Sequence, residues 1–168
     1  MAWWRERLEE LDNGTAPAEP RLRSVVDELI GRGIAGHELS KLEDAWLPLL
    51  EPVPWDESAV DGLTLRGRLL FGIGARLLGG QSADAEAAGV LWSLVDAAQN
   101  CRDAQSRESL CQAARLAMAD LPAKEPANVR PLTVLAAVAA YDLRPSGRLG
   151  RVGAAMAHRL RGTMPRQG

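Results

Sequence analysis

The sequence has few of the residues that build sheets, disulfide frameworks or metal sites. Phe71 and Tyr141 are the only Phe and Tyr, β-branched residues are sparse, and Ala, Leu and Gly dominate. This balance favours helices over strands. Cys101 and Cys111 are the only cysteines, too few for a disulfide framework or a cysteine-based zinc site.

Long apolar runs and an excess of one charge are also missing. The longest apolar run, 131–141, falls far short of the roughly 20 residues that a membrane-spanning helix needs. The formal net charge is −2, so the overall charge predicts no nucleic-acid partner. The first residues lack the apolar core of a signal peptide. We therefore expect a cytoplasmic protein without a transmembrane segment, and leave association with a membrane surface open.

Apolar residues at helical spacing are what the sequence does contain. The 168 residues, 46% of them hydrophobic, suit a single domain over 1–168 with a real core. Trp4, Leu8 and Leu11 share one face of a first helix, which Gly14 can end. Comparable stripes predict six or seven helices in all. Proline-containing loops fall at 51–58 and 122–131.

Four positions carry specific structural predictions. Asp84 and Ser106 are predicted to cap the helices that follow them. Gly67 and Gly74 lie seven residues apart, so they share a helix face where another backbone can come close. The basic tail from 144 onward is expected to present its arginines as a solvated face, with a frayed end.

No motif in the chain predicts a catalytic centre. The glycines at 72–74 have no preceding strand and no third glycine, which favours helix packing over phosphate binding. His37 and His158 have no sequence partner for a metal site or a triad, and we expect both at the surface. Cys101 lies on an apolar stripe and is expected in the core.

Paired carboxylates are the remaining candidates, because two Asp at i and i+4 can hold Mg²⁺. The chain contains no Asp-x-x-x-Asp. Asp96 with Asn100 comes nearest to one, but Asn offers a carbonyl oxygen and no charge. Two other acidic pairs have the spacing but lie among polar residues, where solvated acids are expected: Glu6 with Glu10, and Glu57 with Asp61.

Three stretches resemble the squalene/phytoene synthase family. They are WWRERLEELDNGTAPAEPRLRSVVDELIGRGIAGHELSKLEDAW, LRGRLLFGIGARLLGG and AGVLWSLVDAAQNCRDAQSR. The last resembles the family's second Asp-rich helix, and LPAKEPANVRPLTVLAAVAAYDLR is similar to its C-terminal helices more loosely. The resemblance implies an all-α helical bundle, a partial isoprenoid-synthase (terpenoid synthase-like) fold. It also implies the family's reaction, a Mg²⁺-dependent head-to-head condensation of prenyl diphosphates.

The chain departs from the family at the positions that hold the metal. The first Asp-rich helix would lie upstream of the Trp-rich segment. In the second, aligning Gly89 with the family glycine places Asp96 at an Asn position, Asn100 at the first Asp and Ala104 at the second Asp. Substrate binding, if any is retained, is then assigned by position to Asp96, Asn100, Asp103 and Arg107. No residue is assigned a catalytic or metal-binding role, and Mg²⁺ is expected only if the chain is catalytic.

These departures lead to a first hypothesis of a non-catalytic member that acts as a binding or assembly protein. Trp3 and Trp4 would then form an interface, covered by a second copy or a partner protein, and a prenyl lipid is a further possible ligand. A second hypothesis is a prenyltransferase whose N-terminal part is missing from this chain or comes from another subunit. A third is an unrelated helical bundle, since Ala-, Leu- and Arg-rich helices look alike.

Overall fold

The computed structural model describes residues 2–14, 18–143 and 150–164. These residues form eight α-helices joined by loops and short 3₁₀ segments, and they contain no strand, which confirms the predicted all-α class. The helices are α1 (Ala2–Glu10), α2 (Pro20–Glu28), α3 (Gly36–Trp46), α4 (Glu57–Leu77), α5 (Glu86–Asn100), α6 (Ala104–Ala117), α7 (Arg130–Asp142) and α8 (Gly150–Arg161). Among these residues, no helix combines the length and the apolar character needed to cross a bilayer.

The centre of the molecule is the contact between α4 and α5. Gly67 faces Gly89 across it so closely that a Cβ on either glycine would overlap the carbonyl oxygen of the other. The predicted close approach of a second backbone at Gly67 is thus confirmed. Gly74 meets the Leu132 side chain of α7 instead, so its neighbour is a side chain and not a backbone.

One large hydrophobic cluster surrounds this contact. The predicted stripe of α5 is buried in it at all four positions, Leu91, Leu94, Val95 and Ala98. Phe71 of α4 is also buried there and lies against the Trp92 ring, with 5.4 Å between the ring centroids. Much of the remaining cluster comes from small alanines of α7, which let that helix lie close to α5.

Two predicted helix caps are wrong. Asp84 lies in a 3₁₀ turn, where its carboxylate accepts a hydrogen bond from the Gln81 N–H (2.8 Å), and α5 starts without a side-chain cap. At α6 the cap is Asp103, whose Oδ2 accepts from both the N–H and the hydroxyl of Ser106 at 2.7 Å. Ser106 therefore lies inside the first turn of α6, where its buried hydroxyl also accepts a hydrogen bond from the backbone N–H of Trp55.

The first helix is held against the third by a glycine and an acid. Gly36 begins α3 so close to the Leu8 carbonyl that no side chain would fit there. The Asp12 carboxylate accepts hydrogen bonds from the N–H groups of Gly36 (2.5 Å) and His37 (2.9 Å). These bonds, the His37 N–H first, lower the pKa of Asp12. The result is a fixed angle between α1 and α3.

The C-terminal helix, α8, packs along α7, and the residues that follow α8 are tied to the loop that precedes α7. The Glu125 N–H donates to the Gly162 carbonyl (2.8 Å), and Lys124 pairs with Thr163 in an isolated antiparallel bridge. The predicted frayed end and three of the tail arginines fall on residues outside the described ranges. Arg151 is ion-paired with Asp142 (2.6 Å), whereas Arg159 is exposed as expected.

Candidate functional site

An apolar groove lies between the first three helices and has a volume of about 280 Å³. We call it the N-terminal groove. Its apolar lining consists of Trp4, Leu8, Val25, Leu29, Leu39, Leu42 and Trp46. The groove exists because α1, α2 and α3 meet over a small buried cluster in which only Ile34, Leu39 and Ile73 are fully buried. Three short helices cannot fill the space between them with so few large side chains.

Two tryptophans, Trp4 and Trp46, line this groove, and a third, Trp3, contacts Trp4. Trp3, Trp4 and Trp46 are 50%, 40% and 44% exposed, respectively. The rings of Trp3 and Trp4 meet edge to face, with 4.9 Å between centroids. Large exposed aromatic surface is characteristic of binding sites, and Trp is enriched among the residues that dominate interface energies. The predicted uncovered Trp pair is therefore present, next to a concave apolar surface.

One basic and one acidic side chain, Arg5 and Glu43, line the groove, and two further acids lie beside it. Arg5 pairs with Asp44 and lies 3.6 Å from Glu43, and a third carboxylate, Glu9, accepts a hydrogen bond from the Ser40 hydroxyl in the groove (3.0 Å). The Arg5 guanidinium thus faces two carboxylates, whereas Glu9 is held by the Ser40 hydroxyl. The groove is apolar within, and the two acids beside it, Glu9 and Asp44, favour an apolar partner with positive charge.

Trp46 links the groove to a buried arginine that sequence reasoning missed. The Arg66 guanidinium lies between the rings of Trp46 and Trp92, at 4.8 and 4.9 Å from their centroids. It also contacts Asp96 Oδ2 and the Ser93 hydroxyl at 3.4 Å. Such stacking stabilises a cation by its attraction to the ring faces. The sequence signal that could have identified Arg66 is its position, because Arg66 follows the buried Leu63 by three residues on the core-facing side of α4.

The four residues assigned to substrate by position each have a local partner. The Asp96 carboxylate faces Arg66, and the Asn100 amide donates to the Asp96 backbone carbonyl (2.8 Å). Asp103 caps α6, and its neighbours hold its pKa below the usual value, the Ser106 N–H most of all. Arg107 donates to the Arg102 carbonyl (3.3 Å). These contacts serve helix ends and an ion pair, and they do not aim the four side chains at one shared point.

This donor set does not fit a magnesium ion. Mg²⁺ prefers oxygen ligands, usually carboxylates, in octahedral geometry. Here the Asp96 carboxylate is neutralised by a guanidinium, the Asn100 amide is turned to its own helix, and Ala104 offers no ligand. Within the described ranges, no three His, Cys, Asp or Glu side chains lie close enough to hold a metal ion.

A second cleft, between α5, α7 and α8, contains Asp96 but is charge-balanced. Its volume is about 150 Å³, and Trp92, Gln99 and Leu135 contribute to its walls. Its other acid, Asp142, already binds Gln99 (2.8 Å) and Arg151 (2.6 Å). The N-terminal groove is larger and far less polar, which makes it the stronger candidate.

The prediction that His158 lies at the surface is wrong. Its ring is buried, with Nδ1 donating to the Thr163 carbonyl (3.2 Å) and Nε2 accepting from the Thr133 hydroxyl (2.8 Å). Burial, reinforced by the charge of Arg130, lowers the pKa of His158 below its ordinary value, although the hydrogen bond to Thr163 acts in the opposite direction. His37 is exposed as predicted, and Cys101 is only half-buried, in the loop after α5.

Glu125 is a buried acid without a partner for its carboxylate. Neither carboxylate oxygen has a hydrogen-bond partner within the described residues. Burial, and then the charge of Asp84, raises the pKa of Glu125 to about 7. Its main chain holds the C-terminal segment, as the bond to Gly162 shows, so this carboxyl lies at the attachment point of α8.

Comparison with known proteins adds no relative to this description: no protein-family model, curated protein or solved structure matches the chain.

Proposed function

We propose that this chain is a non-catalytic binding protein, similar to the squalene/phytoene synthase family, that holds an amphipathic helix of a protein partner in the N-terminal groove. The observation that carries the proposal is the apolar groove with Trp4 and Trp46 exposed along it. Grooves between helices commonly receive the apolar face of another helix. The family assignment is supported by the resemblance of the sequence segments and is compatible with an all-α fold.

Shape and charge favour a helix as the occupant. An apolar lining with few polar groups leaves little to orient a small polar substrate, whereas a helix needs only pockets for its apolar anchors. The groove is open, and its volume lies just under the range of about 300–1,000 Å³ typical of small-molecule sites. The three carboxylates of Glu9, Glu43 and Asp44 favour a partner with Arg or Lys beside its apolar stripe.

A labelled synthetic helix tests this function. The probe is a fluorescein-tagged amphipathic peptide of Leu and Arg, and its anisotropy is followed as the chain is added. We expect binding that weakens at least about tenfold in Trp4→Asp, since loss of an anchor residue at an interface has effects of this size. Leu116→Asp is the matched control, because Leu116 is an equally apolar but distant and exposed residue of α6.

The enzymatic alternative makes the opposite prediction. A prenyltransferase would convert farnesyl or geranylgeranyl diphosphate when Mg²⁺ is supplied. We expect no turnover, because the carboxylate of Asp96 is held by Arg66 and the metal positions at 100 and 104 carry no acid. Mg²⁺-dependent product formation by the purified chain would overturn the proposal. A prenyl diphosphate that displaces the peptide without reacting would make the occupant a prenyl lipid.

A further inference from the structure

The last helix has its large apolar residues on the outside. Val152, Met156 and Leu160 of α8 are 72%, 60% and 75% exposed. They are spaced four residues apart, so they form one continuous line along the helix. We call them the α8 stripe. The opposite side of α8, toward α7, carries the half-buried Ala154 and the buried His158.

This orientation is the reverse of an ordinary surface helix, which buries its large apolar side chains. Three large apolar side chains on one exposed line need a partner to remove them from water. Exposed arginines, Arg159 and Arg161, belong to the same helix. The α8 stripe therefore has the features that the N-terminal groove calls for in a partner, namely a helical apolar line with positive charge beside it.

Length and charge agree between the two surfaces. From Val152 to Leu160 the stripe is about 12 Å long, and from Leu39 to Trp46 the α3 wall of the groove is about 11 Å long, at the helical rise of about 1.5 Å per residue. Residues 1–46 contain ten acidic and six basic residues, a net charge of −4, whereas residues 144–168 contain six arginines and no acid. The two ends of the chain are therefore electrostatically complementary.

From these observations we propose that α8 of one copy docks in the N-terminal groove of a second copy, so that the protein assembles head to tail. The inference rests on the proposed function, because it names the helix that the groove holds. Each copy then offers one groove and one stripe. Such a heterologous contact closes into a ring or continues as an open chain, depending on the angle between successive copies.

Analytical ultracentrifugation of the full chain tests the inference, using two complementary variants. Met156→Asp damages the stripe and leaves the groove intact, and Trp4→Asp does the opposite. Both positions are exposed, so neither change removes a core side chain. We expect the wild type to exceed 18.1 kDa with rising concentration and to dissociate as salt screens the charges.

The decisive sample is an equimolar mixture of the two variants. Each variant alone is expected to associate at least about tenfold more weakly than the wild type. Their mixture retains one intact groove and one intact stripe, so it should form a dimer that grows no further. Leu116→Asp should associate like the wild type, which separates the stripe from exposed apolar residues in general.

Several outcomes would overturn the inference. One is a wild-type protein that stays monomeric at high concentration. Another is a mixture of the two variants that stays monomeric although each variant alone has lost its self-association. Binding of a monomeric wild type to vesicles containing anionic phosphatidylglycerol, lost in Met156→Asp, would assign the stripe to a lipid surface. If Met156→Asp still binds the Leu/Arg peptide while the wild type does not self-associate, the proposed function stands and only this inference falls.

Discussion

The α4–α5 contact and the N-terminal groove differ in how completely their side chains fill space. Between α4 and α5, two glycines bring the backbones into contact, and large side chains such as Phe71 and Leu91 are buried around them. Between α1 and α3, one glycine makes a comparable approach at Gly36, but the tryptophans of these two helices remain 40–50% exposed.

The difference separates the part of the chain that specifies the fold from the part available for binding. A close backbone contact leaves no alternative packing, because a shift of either helix creates overlap or a void. A groove bordered by exposed rings keeps apolar surface in water, which costs stability unless a partner covers it. The same contrast recurs at α8, where small residues face inward and large ones face outward.

Gly67→Ala should have the largest effect, because it attacks the filled region directly. The new Cβ would overlap the backbone of Gly89, which cannot move aside as a flexible side chain can. We expect a loss of about 3 kcal/mol in the free energy of unfolding, measured by urea titration. Gly31→Ala is the control, since a Cβ there would make only an ordinary contact with the Val26 carbonyl at 3.6 Å. Equal losses in the two variants would contradict the importance of the α4–α5 contact.

Arg66→Ala should cost less, about 2 kcal/mol. It removes the cation held between Trp46 and Trp92 and leaves Asp96 without its ion-pair partner. Arg66→Lys should recover only part of the loss, because an ammonium group lacks the flat face that stacks on two rings. Thermal unfolding followed by Trp fluorescence measures both. If lysine restored stability fully, charge alone and not stacking would explain the site.

Glu125→Gln should remove a pH dependence of the free energy of unfolding of up to about 3 kcal/mol. The pKa of Glu125 is raised to about 7 in the folded chain, against 4.5 for an ordinary Glu, so the folded state binds its proton more tightly. Stability therefore falls as pH rises from about 4.5 through 7, and the variant should be the more stable protein at pH 8. Urea titrations from pH 4 to 8 give the two profiles, with Asp120→Asn as the exposed control.

The buried histidine acts in the opposite direction. The pKa of His158 is lowered in the folded state, so the unfolded chain gains its proton first and stability falls as pH drops below 6.5. Subtracting the wild-type profile from that of Glu125→Gln removes this common contribution. A difference that stays constant between pH 4 and 8 would show that the Glu125 carboxyl is not the source.

Trp4→Ala should have the smallest effect on stability, under about 1 kcal/mol, despite the size of the side chain. Truncation of a core aromatic residue to Ala costs about 3–5 kcal/mol of stability, but Trp4 is already 40% exposed, so less packing is lost. Urea titration measures the stability, and peptide anisotropy measures binding in the same variant. The comparison of regions predicts nearly unchanged folding with much weaker binding. A large loss of stability would instead make Trp4 part of the core.

Local patterns in the sequence predicted much of the architecture. The stripe of α5, a loop at 51–58 (of which α4 takes the last two residues) and the close approach at Gly67 were predictable because each depends on residues within a few turns of one another. The caps at Asp84 and Ser106 were not, because two residues near a helix start can exchange roles, and at α6 Asp103 binds the Ser106 N–H.

The candidate site was only half visible in the sequence. Trp4 could be identified as an unusual exposed aromatic residue, but the groove also needs Trp46 and Leu29, which come from two other helices. The role of Arg66 was missed because it depends on the rings of Trp46 and Trp92, which lie 20 and 26 residues away along the chain. The four positions taken from the family resemblance, including Asp96 and Asn100, have local partners that no alignment of residues reveals.

The sequence by itself determined that the chain is helical and which stripes are apolar, since these follow from contacts between residues three and four apart. Only the tertiary structure decided which side of α8 faces inward. Its larger apolar residues argue for one side, but the buried His158 has its hydrogen-bond partners, Thr133 and Thr163, on the other. A buried polar ring must keep such partners, and one of them, Thr133, lies 25 residues away on another helix.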